Sequence, residues 1–167
     1  EYNLENAEQI KEKDKQRRER NKLSRVLSYQ IWRSLKDIKA ERHWESLTTF
    51  TLQELKESLK QQFQPGMTWE NQGKEGWHID HIIPQNVFFP FESENDEKFK
   101  ICWSLYNLRP LWCKDNLNRP RDEGSDISEE VKINIISKAL NIDTNSAKEK
   151  WYNILHDYYK RVGVNFE

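Results

Sequence analysis

Apolar residues return at a helical spacing in the first quarter of the chain. Residues 2–42 contain neither Gly nor Pro. From residue 23 onward, apolar side chains recur every three or four positions, as in an amphipathic helix: Leu23, Val26, Leu27, Ile31, Leu35 and Ile38. The preceding residues are polar on every side, a pattern that is marginal for an isolated helix. We expect one long helix over residues 2–42, or two in succession, with the apolar face packed on another element.

The stretch "TLQELKESLKQQF", residues 51–63, predicts a second helix. Thr51 and Glu54 have the spacing of a capping box, in which each side chain bonds the backbone of the other residue. Four apolar residues lie on one face: Leu52, Leu55, Leu59 and Phe63. Pro65-Gly66 is expected to end the helix.

Two short extended segments are predicted in the middle of the chain. The first is "WHIDHIIP", residues 77–84, in which Pro84 favours an early end to strand pairing. A loop, "QNVFFPFESEND", and a short helix over residues 96–102 are expected to follow. The aromatic residues of that loop could pack the core or wedge into a groove, and packing is the favoured interpretation. The second segment is "NLRPLW", followed by a short helix, "CKDNLNR", that Pro120 stops.

Residues 121–126 are predicted to be a polar linker before two C-terminal helices. We expect the first, over residues 128–140, to bury Val131, Ile135 and Leu140. The second, over residues 147–161, is expected to bury four residues: Trp151, Ile154, Leu155 and Tyr158. The predicted fold class is therefore α+β, mostly helical, with a small strand-containing core and flanking helices at both ends.

Composition and charge narrow the class of protein. The 167 residues fit one domain or a small domain with appendages, and the seven Trp argue against a disordered chain. The net charge of −1 is unevenly spread, because residues 11–42 carry twelve Lys or Arg against five Asp or Glu. Such an arm favours a polyanionic partner, although a solvated helix face explains the same pattern. Residues 122–167 are acidic instead.

The two cysteines, Cys102 and Cys113, form no C-x-x-C pair, so no structural zinc is expected. Both are expected to be reduced, with a disulfide between them as the less favoured alternative. No run reaches the roughly 18 apolar residues of a membrane span, and no signal peptide is recognisable. These features predict a cytoplasmic protein that does not contact a membrane. The first residue is not Met, which favours a processed product or a module of a larger protein.

Polar residues at three places point to phosphodiester chemistry. "IDHIIP" contains Asp80 and His81, "NLRPL" begins at Asn107, and "DNLNR" contains Asn116, nine residues further on. Together these stretches resemble the HNH family of nucleases, whose ββα-metal fold is a strand pair plus a helix. The resemblance extends upstream into "LKESLKQQFQPGMTWENQGKEGW" and covers residues 47–119. It departs from the usual sequence motif of the family at Arg109, where Gln is common.

The resemblance implies a metal-dependent endonuclease of bacterial or phage type. Asp80 and Asn116 would hold one divalent cation, Mg²⁺ or alternatively Mn²⁺, and His81 would act as general base. Asn107 would hydrogen-bond main chain and hold that histidine in place. Products would carry 5′-phosphate and 3′-hydroxyl ends. Strand alternation puts His78 on the Asp80 side, where it is an accessory group or, in the favoured interpretation, an inert strand histidine.

The implied substrate is double-stranded DNA. Candidate phosphate contacts are basic residues of the arm and of the site, although solvated charge explains them nearly as well: Arg17, Arg18, Arg20, Lys22, Arg25, Arg109, Lys114, Arg119 and Arg121. One site cuts one strand, so double-strand cleavage would need a homodimer, sequential cuts or a parent complex. A non-cleaving nucleic-acid-binding module and a nuclease for structured RNA remain alternatives.

These patterns divide the chain into four predicted segments. Residues 1–42 form a basic helical arm that clamps DNA, and residues 43–66 a helical lead-in. Residues 67–121 form the nuclease core, and residues 122–167 a C-terminal helical segment.

Overall fold

A computed structural model describes residues 2–35, 42–73 and 75–164. The chain divides into two units, Glu1–Trp44 and Glu45–Glu167. The described part is mostly helical and contains one antiparallel sheet of two strands.

The first unit contains the long helix α1, Tyr2–Leu35. Leu23, Leu27, Ile31 and Leu35 are buried, which confirms the face expected from the sequence, whereas Val26 is only half-buried. The Trp44 indole donates a hydrogen bond to Ser24 Oγ at 2.9 Å. The expected helix beyond residue 35 and the expected burial of Ile38 lie outside the described residues.

Helix α2, Leu52–Gln61, begins at the predicted capping box. The Glu54 amide donates to Thr51 Oγ1 at 3.3 Å, and the Thr51 amide donates to Glu54 Oε2 at 2.7 Å. Leu55 and Leu59 are fully buried. The helix ends at Gln61, ahead of the Pro65-Gly66 pair that was expected to stop it.

Strands β1, Trp77–His81, and β2, Leu108–Trp112, form the sheet. Their antiparallel register places Asp80 opposite Arg109 and His81 opposite Leu108. Trp77 is fully buried beneath the sheet, with its ring 5.1 Å from Phe63 and 5.5 Å from Trp69. These aromatic contacts hold α2 and the turn before β1 beside the sheet.

Two short helices lie between the strands. Helix α3, Gln85–Phe88, occupies part of the predicted loop, so that part of the prediction was wrong. Four residues are too few to show a helical period, whereas Pro84 supplies a φ of −56° that suits a helix start. Val87, Phe88 and Phe91 are buried, which confirms the packing interpretation of this aromatic stretch. Helix α4, Glu97–Cys102, follows, with Asp96 as its N-cap.

Helix α5, Cys113–Asn118, continues directly from β2, and two longer helices complete the chain: α6, Glu129–Leu140, and α7, Thr144–Val162. Helix α6 packs against both α4 and α7. The predicted buried face of α7 is confirmed, because Trp151, Ile154, Leu155 and Tyr158 are all buried.

The predicted buried face of α6 was partly wrong. Val131 is 42 % exposed and Leu140 is only half-buried. Ile133 and Ile136 are buried beside the predicted Ile135, together with Lys132, whose ammonium lies 5.1 Å from the centre of the Trp151 ring. The consecutive apolar residues of this helix allow two overlapping faces, and packing against α4 and α7 selects one of them.

Candidate active site

The end of β1 brings the predicted catalytic pair to the turn that leaves the sheet. Asp80 and His81 are the last two residues of the strand, and both remain paired with β2. The Ile82 amide then donates to the Asn107 carbonyl at 2.8 Å, immediately before β2 begins. Because neighbouring strand residues face opposite sides, Asp80 and His81 can share one cavity only at such an end.

Asn107 ties this turn to the chain segment before β2. Its side chain is fully buried. The Ile83 amide donates to Asn107 Oδ1 at 2.8 Å, while Asn107 Nδ2 donates to the carbonyls of Ile83 at 3.2 Å and Cys102 at 3.0 Å. The amide therefore holds the backbone two residues after His81 from both sides. The main-chain hydrogen bonds expected for Asn107 are present, and its role in holding a catalytic histidine stays a prediction.

Two arginines hold the Asp80 carboxylate. Arg109 Nε donates to Asp80 Oδ2 at 2.8 Å, across the strand pair. The first terminal nitrogen of Arg119 donates to Asp80 Oδ1 and Oδ2 at 3.1 and 2.9 Å. A carboxylate accepts about four hydrogen bonds, so the described contacts leave room for one further ligand on Asp80.

His81 lies against Trp103, with the two ring centres 4.6 Å apart and the planes nearly perpendicular. Burial of the imidazole, followed by the positive charge of Arg119, lowers the pKa of His81 to about 4. The ring is therefore neutral at physiological pH, the state that a general base requires. Its Nε2 atom is buried without a hydrogen-bond partner among the described residues.

Asn116 reaches the site from α5. Its Nδ2 lies 3.4 Å from His78 Nδ1, on the side of β1 that also carries Asp80. With the amide nitrogen towards His78, the amide oxygen remains as a ligand atom. His78 therefore contacts the predicted Asn116 ligand, and no contact with Asp80 is among the described hydrogen bonds.

One open cavity of about 520 Å³ joins these groups. Its polar lining consists of residues from the end of β1, from α3, from α5 and from the segment just after α5: Asp80, His81, Gln85, Asn86, Asn116, Arg119 and Arg121. Among the described residues, no three His, Cys, Asp or Glu side chains gather where they could share a metal ion. A carboxylate and an amide oxygen do fit Mg²⁺ or Mn²⁺, which usually keep several waters and prefer oxygen ligands.

The predicted phosphate contacts fall into two groups. Arg109, Arg119 and Arg121 lie at the site, and Lys114 is exposed on α5. Arg119 has the less exposed side chain of the two arginines that bind Asp80, 8 % against 22 % for Arg109, and it also donates to Asp126 and to the His81 carbonyl. The remaining basic residues lie on α1, where the described side chains are exposed: Arg17, Arg18, Lys22 and Arg25. The side chain of Arg20 lies outside the described part.

Four polar or aromatic residues of the site were not predicted from the sequence. Gln85 and Asn86 line the cavity, Trp103 packs on the His81 ring, and Asp126 accepts a hydrogen bond from Arg119 Nε at 3.0 Å. Gln85 lies in the predicted loop, Trp103 directly follows the helix predicted over residues 96–102, and Asp126 lies in the polar linker. That linker contains three carboxylates, and no periodic pattern distinguishes Asp126 from the other two.

In the described part of the chain, no helix combines the length and the apolar character needed to cross a membrane. The cysteines are both free thiols; Cys102 is buried and Cys113, the first residue of α5, is half-exposed. Burial raises the pKa of the Cys102 thiol well above its ordinary value.

Comparison with known proteins finds relatives of unassigned function. The uncharacterized protein L246 of Acanthamoeba polyphaga mimivirus is 36 % identical over 93 residues, which cover 56 % of this chain and 38 % of that protein. The uncharacterized protein L426 of the same virus is 44 % identical over 50 residues, covering 30 % of this chain and 20 % of the relative. The matches thus span well under half the length of either relative. No family model matches the chain. No solved structure matches it either.

Proposed function

We propose that this chain is a metal-dependent endonuclease of the HNH type that hydrolyses DNA phosphodiester bonds. The observation that carries the proposal is the placement of Asp80, His81 and Asn116 around one cavity. The strand β1 that carries the first two pairs with β2, and helix α5, which carries Asn116, follows β2 directly. A strand pair plus a helix is the arrangement that the sequence resemblance implies.

His81 supplies the proton transfer. Its neutral ring takes a proton from a water in the cavity, and the resulting hydroxide attacks phosphorus in line with the leaving 3′ oxygen. The P–O3′ bond breaks, the 3′ oxygen takes a proton from solvent, and the products carry 5′-phosphate and 3′-hydroxyl ends. Trp103 and Asn107 hold the ring and the following backbone, so the base needs little reorganisation.

Asp80 and Asn116 provide the oxygen atoms that would hold one divalent cation, with Mg²⁺ favoured and Mn²⁺ an alternative. A bound cation stabilises negative charge on the phosphate and on the leaving oxygen. The exposed basic residues of α1 supply phosphate contacts to double-stranded DNA that carry no sequence information.

A second candidate is a non-cleaving nucleic-acid-binding module. One observation favours it: the Asp80 carboxylate is already held by Arg109 and Arg119. In that function the two ion pairs would close the site permanently, and the basic arm would bind nucleic acid without catalysis.

Supercoiled plasmid distinguishes the two candidates. The purified chain is incubated with plasmid in Mg²⁺, in Mn²⁺ and in EDTA, beside His81→Ala and the exposed-histidine control His156→Ala. We expect metal-dependent nicking that His81→Ala lowers by at least about 100-fold, since general base catalysis contributes factors of this order. His156→Ala should cut normally. Binding without cleavage in every metal would favour the module, and equal cleavage by His81→Ala would overturn the assigned base.

A further inference from the structure

Arg119 is the most heavily bonded side chain of the candidate site. Besides Asp80, it donates to the main-chain carbonyls of His81 and Ile82, and its Nε and second terminal nitrogen donate to Asp126. A guanidinium has five N–H donors in a fixed plane. Here each of its three nitrogens has a protein acceptor, so the group is fixed rather than presented to a substrate.

The loop that follows α5 is shaped to present Asp126 to this guanidinium. The Asp122 carboxylate accepts hydrogen bonds from the amides of Gly124 and Ser125 at 2.9 and 3.0 Å, which closes the turn. Gly124 has a φ of +80°, and a Cβ at this position would lie 2.9 Å from Pro84 Cδ. Only glycine therefore allows the loop to lie this close to the turn after β1.

Charge gives Asp126 a second effect. Two guanidiniums surround Asp80, and by themselves they would repel a divalent cation from that carboxylate. Asp126 forms ion pairs with both, at 3.0 Å to Arg119 Nε and 3.9 Å to the terminal nitrogen of Arg109. The four charges sum to zero, so the carboxylate of Asp80 keeps its attraction for a cation.

We propose that Arg119 and Asp126 are a positioning pair for the candidate active site. Arg119 fixes the Asp80 carboxylate and the backbone of His81 and Ile82, and Asp126 orients Arg119 and offsets the positive charge. The loop over residues 122–126 thereby belongs to the site, although no residue of it is expected to touch a substrate. Only the part of this inference that concerns cation binding rests on the proposed function.

The first test is cation affinity, measured by titration calorimetry and by the electron paramagnetic resonance of free Mn²⁺. Asp126→Asn keeps the size of the side chain and removes its charge. Glu123→Gln removes the same charge from the same loop, at a residue whose described hydrogen bond joins Tyr159. We expect Asp126→Asn to weaken Mn²⁺ binding about tenfold. This loss corresponds to a modest fraction of the attraction between two close charges in a partly buried site. Glu123→Gln should stay within about twofold of the unsubstituted chain.

The second test needs no metal. The Arg119 side-chain Nε–H, assigned in nitrogen-15 spectra by its loss in Arg119→Lys, should exchange slowly with solvent in the unsubstituted chain and in Glu123→Gln. In Asp126→Asn it should exchange at least about tenfold faster, because its acceptor is weakened. Asp126→Glu, which restores the charge, should recover most of the Mn²⁺ affinity lost in Asp126→Asn.

The outcomes separate the two proposals. Equal Mn²⁺ affinity in Asp126→Asn and in the unsubstituted chain would overturn the charge-offset role. Fast Nε–H exchange in the unsubstituted chain would overturn the positioning pair altogether. If the unsubstituted chain binds no cation while its Nε–H stays protected, the pair stands as a structural clamp and the metal-dependent nuclease fails.

Discussion

At the scale of single residues, Asn107 shows how an uncharged side chain can hold the turn beside the candidate active site. Its amide meets one backbone donor and two backbone acceptors, from Ile83 and Cys102, in a fully buried position. Water cannot replace these bonds without opening the core. The residue therefore links the stability of the fold to the placement of His81.

Asn107→Ala should lower the free energy of unfolding by about 2–4 kcal/mol, because it leaves buried backbone groups without partners. Asn118→Ala, at an exposed residue near the end of α5, should change it by less than about 0.5 kcal/mol. Urea unfolding followed by tryptophan fluorescence measures both. Equal effects of the two substitutions would remove the structural role assigned to Asn107.

The depressed pKa of His81 makes stability depend on pH. The folded value is about 4 and the ordinary value is 6.5, so between these values the unfolded chain binds a proton that the folded chain does not. The free energy of unfolding should therefore fall as pH drops from 6.5 towards 4, by up to about 3 kcal/mol from this residue. Well above pH 6.5 the His81 ring is neutral in both the folded and the unfolded chain, so it no longer makes the free energy of unfolding depend on pH.

Urea unfolding at about pH 7 and about pH 4.5 tests this. The stability difference between the unsubstituted chain and His81→Ala should shrink at the lower pH, since other groups titrate alike in both. His156→Ala, at an exposed residue, is the control for the removal of a histidine. A constant difference for His81→Ala would show that the ring titrates normally.

The four central polar residues of the site could be predicted because their chemistry and spacing are local in sequence. Asp80 and His81 end a predicted strand, and Asn116 lies in a predicted short helix. Asn107 was expected to begin the second extended segment, and it lies in a 3-10 turn immediately before β2. Asp126 could not be predicted in this way, because its role depends on where a polar loop returns in space. Its partner Arg119 was predicted to flank the site and contact phosphate, whereas its side chain forms ion pairs with Asp80 and Asp126.

At the scale of elements, helices with long periodic patterns were predicted well, and short elements were not. The α2 capping box and the buried face of α7 are as expected. Helix α3 is too short for a period, and α6 carries apolar residues on more than one possible face. In both, packing against neighbouring helices decides the outcome, and that information is not local in the sequence.

The loop after α5 provides a test at this scale, with a matched control. Gly124 and Gly163 both have positive φ, +80° and +74°, but a Cβ on Gly163 would meet nothing within 4 Å. Gly163→Ala should therefore lower the free energy of unfolding by only about 1 kcal/mol, the cost of a positive φ for a residue with a Cβ. Gly124→Ala should lower it by more, about 2–3 kcal/mol, because the added Cβ would also clash with Pro84.

Thermal unfolding of both variants provides the measurement. Gly124→Ala should in addition accelerate exchange of the Arg119 Nε–H, whereas Gly163→Ala, at the end of α7, should leave that signal unchanged. Identical destabilisation in the two variants would show that the loop yields easily around Pro84.

At the scale of the whole molecule, the basic cluster of α1 and the candidate active site lie in different units. The residues of the candidate site all belong to Glu45–Glu167, and the basic cluster of α1 belongs to Glu1–Trp44. Arg18, Lys22 and Arg25 are spaced to share one helix face and are exposed. The net charge of −1 therefore says little about how the chain meets a polyanion.

Replacing Arg18 and Arg25 together with Ala should weaken DNA binding at low salt. The slope of log affinity against log salt should also decrease in magnitude by up to about 2, near one unit for each lost phosphate contact. Fluorescence anisotropy with a labelled duplex across a salt series measures both. Lys148→Ala with Lys160→Ala, on exposed positions of α7, should leave the slope unchanged. An unchanged slope for the arginine pair would exclude α1 as the DNA-binding surface.

The two thiols differ in exposure, so one of them can be labelled selectively beside the candidate site. A thiolate is the species that maleimides alkylate, and burial keeps Cys102 protonated and out of reach, while Cys113 stays accessible at the start of α5. A fluorophore or spin label should attach at Cys113 alone in the folded chain, without any engineered cysteine. Placed at the junction of β2 and α5, three residues before Asn116, it would report local movement when cations or DNA are added.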